Sequence, residues 1–341
     1  MTSSFRSLLR NSKVGLGLAA LLFFALPATA QKIKLATLVP DGSVWDRALK
    51  EMGSAWRQAS GGKVSLRIYS GGVAGDEADM QRKLKINQLQ AALFTASGLG
   101  QIEPAFRIFE VPLLFKSEEE VEYVLAAIKD DFEKRLDKKG YVLVHWAHAG
   151  WMRIFSTKPI RKYEDFISMK QFVWGGGTRV GGWYEEKGIR TVPLSTPDIL
   201  TGLQTGLVEV VPSTPLAALS LQWFRSAPYM CERRLAPLIG GTIVSKRAWK
   251  KIPKDQQEKM LKAGVAAGEM LFAEVPKSED NALKAMQDRG LEITQVAGPA
   301  DNGKWDDLGM HFRQRMREDS IPEDVFLKVT GLIEKFRASK E

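Results

Sequence analysis

The segment Lys32-Ile33-Lys34-Leu35-Ala36-Thr37-Leu38 decides the fold, because its polar and apolar side chains alternate as in a half-buried strand. Apolar residues then recur at helical spacing over residues 45–56. A second strand is predicted at Val64–Tyr69, a helix starts near Asp76, and a more buried third strand is predicted at Ala91–Thr95. Strand, helix, strand, helix, strand at these intervals is typical of an α/β protein with a largely parallel sheet.

A second α/β unit begins near residue 150. Strands are predicted at 141–146, Arg153–Ser156 and Gln171–Trp174, and the pattern from residue 250 to about 288 is almost wholly helical. A chain of 341 residues favours two domains. No repeat and no low-complexity linker separates them, so we expect the chain to cross between them more than once.

The sequence pattern also predicts the residue boundaries of two lobes, one for each α/β unit. The first lobe takes residues 31–150 and about 240–280, and the second takes 151–239 and about 281–341.

The first thirty residues have the three parts of a secretory signal. Basic residues (Arg6, Arg10 and Lys13) precede an apolar stretch at 14–26, which is followed by Pro27-Ala28-Thr29-Ala30. The apolar stretch is shorter than the roughly 20 residues of a membrane span. We therefore predict a signal peptide over 1–30, cleaved after Ala30, and a protein exported to the periplasm. An uncleaved anchor is the alternative.

Charge and cysteine content narrow the functional classes. The formal net charge is +9, but charges of both signs are interleaved, so no concentrated basic face indicates nucleic-acid binding. Cys231 is the single cysteine, so no internal disulfide is expected, and its burial as a small apolar residue is favoured over a catalytic thiol.

Catalytic and metal-binding patterns were sought and not found. His145 and His148 are three residues apart on a predicted strand end, which does not match the helical H-E-x-x-H pair, and no cysteine or carboxylate stands at ligand spacing. No G-x-S-x-G sequence surrounds a serine. We expect no metal, no cofactor and no catalysis; a secreted enzyme that uses Arg153 and a carboxylate is the alternative.

Aromatic residues gather in one region of the sequence. Most of them are expected in the core, but Trp151, Phe172 and Trp174 lie at or near predicted strand ends, where open α/β sheets bind ligands. Arg153 shares that neighbourhood, and a buried arginine needs a partner such as a ligand oxygen or an internal carboxylate.

Several motifs occur along the chain in a definite order. They are Gly75-Asp76-Glu77, Gly150-Trp151-Met152-Arg153, Glu164-Asp165-Phe166-Ile167-Ser168-Met169-Lys170, Leu203-Gln204-Thr205-Gly206-Leu207-Val208-Glu209 and Pro253-Lys254-Asp255-Gln256-Gln257. Together they resemble the solute receptors of tripartite ATP-independent periplasmic (TRAP) transporters, the DctP-type family. The resemblance implies a two-lobed periplasmic binding protein fold, with a ligand cleft between the lobes and long helices that cross both. It also implies capture of a small molecule for a small and a large membrane subunit.

Departures from the family pattern suggest the kind of ligand. Family receptors for carboxylates usually have an arginine where Phe172 stands here, and proline is common at the position of Trp174. The segment that commonly holds an asparagine here contains Ser213 and Thr214, and the polar position after the third strand falls near Ala96, which Ser97 follows. Arg153, typical of the family pocket, is retained.

We therefore expect a ligand more apolar than a dicarboxylate, such as a monocarboxylate, with at most one oxyanion held by Arg153. Candidate ligand-binding residues share a position at a strand end or at the start of a helix: Arg153, Trp151, Phe172, Trp174, Thr214, Ser213, Ser97 and Trp45. A repeat-containing lipoprotein is a further candidate partner, because a subgroup of the family uses one with apolar ligands. A receptor that passes the ligand signal to a membrane sensor is an alternative to transport.

Overall fold

The structure is a computed structural model that describes residues 31–174, 178–296 and 298–340. The predicted signal peptide, residues 1–30, lies outside the described residues. None of the helices in the described ranges combines the length and the apolar character that a bilayer span requires.

The strands of the described chain form two separate sheets. In chain order they are β1 (Gln31–Ala36), β2 (Val64–Tyr69), β3 (Ala91–Thr95), β4 (Tyr141–Trp151), β5 (Arg153–Ser156), β6 (Gln171–Trp174), β7 (Thr191–Leu194), β8 (Val210–Ser213), β9 (Tyr229–Cys231), β10 (Pro237–Ser245) and β11 (Glu292–Thr294). The first sheet has the order β2-β1-β3-β10-β4 and the second has the order β11-β9-β5-β8-β6-β7. Each sheet with its helices forms one lobe, so the predicted two-lobed α/β fold is confirmed.

The helices cover the sheets and connect them. They are α1 (Val44–Ala59), α2 (Glu77–Lys85), α3 (Ala96–Ile102), α4 (Glu118–Lys138), α5 (Tyr163–Ser168), α6 (Thr178–Glu185), α7 (Ile199–Gln204), α8 (Pro215–Ser220), α9 (Lys246–Trp249), α10 (Lys254–Gln287), α11 (Gly298–Asp319) and α12 (Glu323–Ala338). Short 3-10 helices lie at Pro104–Glu110, Thr196–Asp198 and Trp223–Arg225.

The alternating pattern at the start of the described chain forms the centre of the first sheet. β1 pairs in parallel with β2 and β3, and its Ile33 and Leu35 are fully buried. The predicted helix that follows is α1, which begins after the capping hydroxyl of Ser43 and buries Trp45 and Trp56. β10 runs antiparallel between β3 and β4, so a strand distant in sequence completes the first lobe.

The second sheet is mixed. β6 pairs in parallel with β7 and β8, whereas β5 is antiparallel to β8 and β9. The predicted strands Arg153–Ser156 and Gln171–Trp174 are confirmed as β5 and β6. Their Phe155 and Phe172 pack in the core of this lobe.

Two strand connections cross between the sheets side by side. β4 of the first sheet continues through Met152 into β5 of the second, and the chain returns from β9 into β10. The backbone N–H of Met152 donates to the carbonyl of Ala236 at 2.9 Å, and the N–H of Leu235 donates to the carbonyl of Met152 at 2.9 Å. The crossing is therefore a hydrogen-bonded two-stranded ribbon.

Helix α10 is the third crossing. It packs along α1 and β4 in the first lobe, where Met260 and Leu271 join the core, and its far end places Met286 in the core of the second lobe. This confirms the predicted long helix that passes through both lobes.

The carboxyl-terminal helices do not stay with one sheet. α11 packs on α5 of the second lobe, whereas α12 packs on α4 of the first. The lobe boundaries given from the sequence, including about 281–341 for the second lobe, stay predictions.

Glycines let α10 approach β4, and this contact is testable. An added Cβ at Gly264 would lie 2.5 Å from the carbonyl oxygen of Val144, whereas an added Cβ at Gly331 in α12 would meet nothing within 4 Å. We expect Gly264→Ala to lower the free energy of unfolding by about 1–3 kcal/mol through overpacking. Gly331→Ala, the control, should raise it by about 0.5–1 kcal/mol because alanine favours helix. Urea titrations that give the two variants the same effect would contradict this packing.

Candidate functional site

A cavity of about 130 Å³ lies between the two sheets. The first lobe contributes Thr37, Trp45, Glu77, Thr95 and Ile239, among others, and the second contributes Trp174, Thr196, Pro212, Ser213 and Trp223. Apolar cavities of about 150 Å³ in other proteins hold a benzene-sized molecule. The space therefore suits a small organic molecule that touches both lobes.

A wider groove of about 920 Å³ lies beside α4. Charged side chains of that helix form most of its wall, and none of the lining residues in the described ranges belongs to the second sheet. A ligand there would not link the lobes, so the cavity between the sheets is the better candidate.

Three indole rings form the apolar walls of the cavity. Trp45 and Trp223 are 4% and 6% exposed, and Trp174 is half-buried. The Trp45 indole N–H donates to the carbonyl of His148 at 3.0 Å, which fixes this ring in place. Trp174 rests edge-on against Phe172, with ring centroids 4.8 Å apart. The rings offer a ligand broad apolar contact at little cost in side-chain entropy.

Hydroxyl groups supply part of the cavity's polar surface. The Ser213 hydroxyl donates to the carbonyl of Thr214 at 3.3 Å, and the Thr37 hydroxyl accepts from the N–H of Val39 at 3.2 Å. The Thr196 hydroxyl oxygen is buried without a hydrogen-bond partner in the described structure. Such a group gains a bond when a polar ligand atom comes within reach.

Glu77 brings a carboxyl group to the cavity wall. It is the first residue of α2, and its two carboxyl oxygens accept from the Thr95 backbone N–H at 2.6 Å and the Thr95 hydroxyl at 2.9 Å. Gly98 makes room for it, since an added Cβ there would lie 2.7 Å from the carboxyl carbon. Burial raises the pKa of Glu77 to about 7 despite the two bonds from Thr95, and the carboxyls of Glu110 and Asp76 raise it further.

The described lining residues include no lysine, arginine or histidine. The charge chemistry of the described wall is therefore that of one carboxyl group among apolar and hydroxyl side chains.

Three of the residues predicted from the sequence line the cavity, namely Trp45, Trp174 and Ser213. Two others are close neighbours of the wall. Thr214 follows Ser213 and caps α8, its hydroxyl accepting from the N–H of Ala217 at 3.3 Å, and Phe172 lies behind Trp174, 2% exposed.

Ser97 lies on α3, half-buried, where its hydroxyl bonds the carboxylate of Glu110. The lining residue at this strand end is Thr95, two positions earlier. The local sequence does not distinguish these two hydroxyls, because the end of β3 is determined by its pairing with β10.

Trp151 and Arg153 lie at the strand crossing, outside the cavity lining. Trp151 is 2% exposed, its backbone N–H donates to both carboxyl oxygens of Glu279 at 3.2 Å, and its indole N–H donates to Glu118. Arg153 is half-buried and donates to the carbonyl of Glu232. A ligand-binding role for either residue stays a prediction.

Sequence reasoning missed Glu77, Thr95, Thr196 and Trp223 as lining residues. Glu77 and Trp223 carried a signal, the first in the Gly75-Asp76-Glu77 motif and the second in its aromatic character. Neither signal tells which side chains face the other lobe.

Comparisons with known proteins agree on one family. A family model described as bacterial extracellular solute-binding protein, family 7, matches residues 35–312. A solute-binding protein of Chromohalobacter salexigens is 21% identical over 259 residues, which cover 75% of this chain and 76% of the relative.

Solved structures match over both lobes. A TRAP periplasmic solute binding protein from Sulfitobacter sp. NAS-14.1, with bound β-D-galacturonate, has a TM-score of 0.79 at 19% identity and covers 89% of this chain and 99% of its own. The sugar acid binding protein DctPAm from Advenella mimigardefordensis, in complex with galactonate, has a TM-score of 0.83 at 16% identity, with coverages of 90% and 99%. At these identities the structural likeness shows the fold.

Glu279 at the crossing gives a testable pH dependence. Burial raises the pKa of Glu279 to about 8, although the hydrogen bond from the Trp151 backbone lowers it. The nearby carboxyl group of Glu118 raises this pKa further. A carboxyl whose pKa is higher in the folded state binds protons on folding, so its contribution to the free energy of unfolding is lost as pH rises from about 4.5 to 8. We expect the stability of wild type relative to Glu279→Gln to fall between pH 5 and 8 by on the order of a few kcal/mol, since one pKa unit is about 1.4 kcal/mol.

The control for this experiment is Glu274→Gln, an exposed carboxyl on the same helix. Its pH profile in urea titrations should run parallel to that of wild type. A parallel profile for Glu279→Gln as well would show that Glu279 is not desolvated at the crossing.

Proposed function

Because the chain belongs to the bacterial extracellular solute-binding proteins of family 7, we propose that it captures a small organic molecule between its lobes and delivers it to the membrane subunits of a TRAP transporter. The family match confirms the resemblance seen in the sequence. Its members are solute receptors, so the alternative of a secreted enzyme is set aside. The alternative of a receptor for a membrane sensor stays a prediction.

Family membership places the receptor in the periplasm. Two finer expectations remain predictions of the sequence, namely cleavage after Ala30 and a repeat-containing lipoprotein as partner. The comparisons supply no support for the lipoprotein.

The ligand we propose is more apolar than a dicarboxylate or a sugar acid. The observation that carries this is the cavity wall, in which Trp45, Trp174 and Trp223 present indole rings and no described lining side chain is cationic. A buried carboxylate without a cationic partner costs several kcal/mol, roughly 2–5. The bound galacturonate and galactonate of the solved relatives belong to those proteins.

Phe172 supports the same inference. Its ring supports Trp174 from behind, where the resemblance would place an arginine for a ligand carboxylate. A phenyl ring removes the donors of a guanidinium and adds apolar surface. The two residues together make the second lobe's side of the cavity apolar.

Ligand capture follows from the fact that both lobes contribute residues to the cavity wall. A ligand in the cavity contacts both lobes, so its binding energy favours the arrangement in which the lobes lie close together. Rotation of the lobes about the strand ribbon and α10 would leave both sheets intact. A closed, loaded receptor then differs in shape from an empty one, and the membrane subunits can distinguish the two.

The ligand class can be tested by titration calorimetry with wild-type protein. The panel consists of C4 dicarboxylates, hexuronates and small apolar molecules of similar size. We expect the apolar members to bind more tightly and to raise the melting temperature, since they bind the native state alone. Micromolar binding of a dicarboxylate or a hexuronate would contradict the proposed ligand class.

The location of the site can be tested with two tryptophan variants. Trp174→Leu removes one apolar wall, and we expect at least a tenfold loss of affinity, or about 1.4 kcal/mol. The control is Trp183→Leu, because Trp183 is a buried tryptophan of the same lobe that packs near Phe312, away from the cavity. Equal losses in the two variants, measured well below their melting temperatures, would argue against this cavity.

A further inference from the structure

The polar chemistry of the cavity allows a closer statement about the ligand, which rests on the proposed function. Glu77 is a buried carboxyl, 7% exposed, that lines the wall of the first lobe. The other described lining residues are apolar or offer hydroxyl and backbone groups. A ligand group placed beside Glu77 therefore meets a hydrogen-bond acceptor.

Glu77 retains capacity for a further hydrogen bond. Each of its oxygens accepts one bond from Thr95, and a carboxylate oxygen can accept about two. The bonds from Thr95, together with the close approach of Gly98, hold the carboxyl in a fixed orientation at the wall. The remaining lone pairs can accept from a donor on the ligand.

The charged groups around Glu77 are mostly acidic. Asp76, which caps the same helix, and Glu110, from the 3-10 helix after α3, both raise the pKa of Glu77, whereas Arg107 and the Ser97 hydroxyl lower the pKa of Glu110. Gln81 from the next turn of α2 donates to the carbonyl of Gly98. A cationic ligand group would reduce the repulsion among these three carboxyls, whereas an anionic one would increase it.

The second lobe offers a polar group of its own. The hydroxyl oxygen of Thr196 lines the cavity and lacks a hydrogen-bond partner in the described structure. Between Glu77 and Thr196, the rest of the ligand would lie against the indole rings.

We propose that Glu77 anchors the polar end of the ligand, and that the ligand is a small apolar molecule with a hydrogen-bond donor, a protonated amine in preference to a hydroxyl, and without a carboxylate. This inference differs from the expectation that Arg153 holds a ligand oxyanion. In the structure, Arg153 lies outside the cavity lining and donates to the carbonyl of Glu232.

The test uses three probes with the same apolar skeleton: cyclohexylmethylamine, cyclohexylmethanol and cyclohexanecarboxylate. Titration calorimetry with the full mature chain should give the tightest binding for the amine, weaker binding for the alcohol and at least tenfold weaker binding for the carboxylate. Glu77→Gln should lower amine affinity at least tenfold and alcohol affinity only a few-fold. The control Glu122→Gln removes a carboxyl outside the cavity lining and should leave all three affinities unchanged.

A pH series adds a readout that needs no variant. The amine stays protonated between pH 6 and 8, while Glu77 ionises around its pKa of about 7. Because the carboxylate form pairs with the cation, amine affinity should rise roughly tenfold from pH 6 to pH 8. This rise should be absent in Glu77→Gln. If that variant does not fold, the pH dependence of amine affinity in the wild-type protein still tests the proposal.

The possible results distinguish a failure of the Glu77 anchor from a failure of the proposed ligand class. Tighter binding of the carboxylate than of the amine, or amine affinity that is independent of pH and of Glu77, would overturn the Glu77 anchor while leaving a solute receptor with an apolar ligand. Failure of every probe to bind, together with tight binding of a hexuronate, would overturn both the anchor and the proposed ligand class.

Discussion

Three segments of chain cross between the two sheets, and the arrangement of the molecule depends on them. β4 and β10 pair in the first sheet and continue side by side into the second, and α10 runs along the same path. Glu279 of α10 accepts from the backbone of Trp151 where the ribbon leaves the first sheet. Helix and ribbon are thus hydrogen-bonded to each other at the crossing.

The cleft takes its chemistry from the elements that this crossing brings together. Trp45 comes from the first helix, and Trp174 and Trp223 come from the other lobe, so no single unit makes the apolar wall. Glu77 is held by Thr95 across two elements of the first lobe. We propose that this cleft selects its ligand by shape and by the charge of the ligand's polar end. That basis differs from the pairing of an oxyanion with a guanidinium.

The sequence predicted those features that depend on near neighbours in the chain. The alternation at Lys32-Ile33-Lys34-Leu35-Ala36-Thr37-Leu38 and the helical spacing over 45–56 gave β1 and α1, because side-chain direction follows from local geometry. The insertion of β10 between β3 and β4 joins segments that are distant in sequence, and no local sequence pattern predicts it. The insertion pairs the end of β3, where Thr95 lines the cavity, with a strand distant in sequence, and Thr95 in turn holds Glu77, so both residues were missed. Trp174 and Ser213 belong to the second sheet, and they were predicted from a strand end and from the family resemblance.

In the proposed complex the ligand lies in the cavity between the lobes and contacts both of them. A crystal structure of the protein with the tightest-binding probe is the decisive measurement. We expect electron density for the probe against Trp45 on one side and Trp174 on the other, with the probe's donor in hydrogen-bond contact with Glu77. Density beside Arg153 at the crossing, or on one lobe alone, would contradict it.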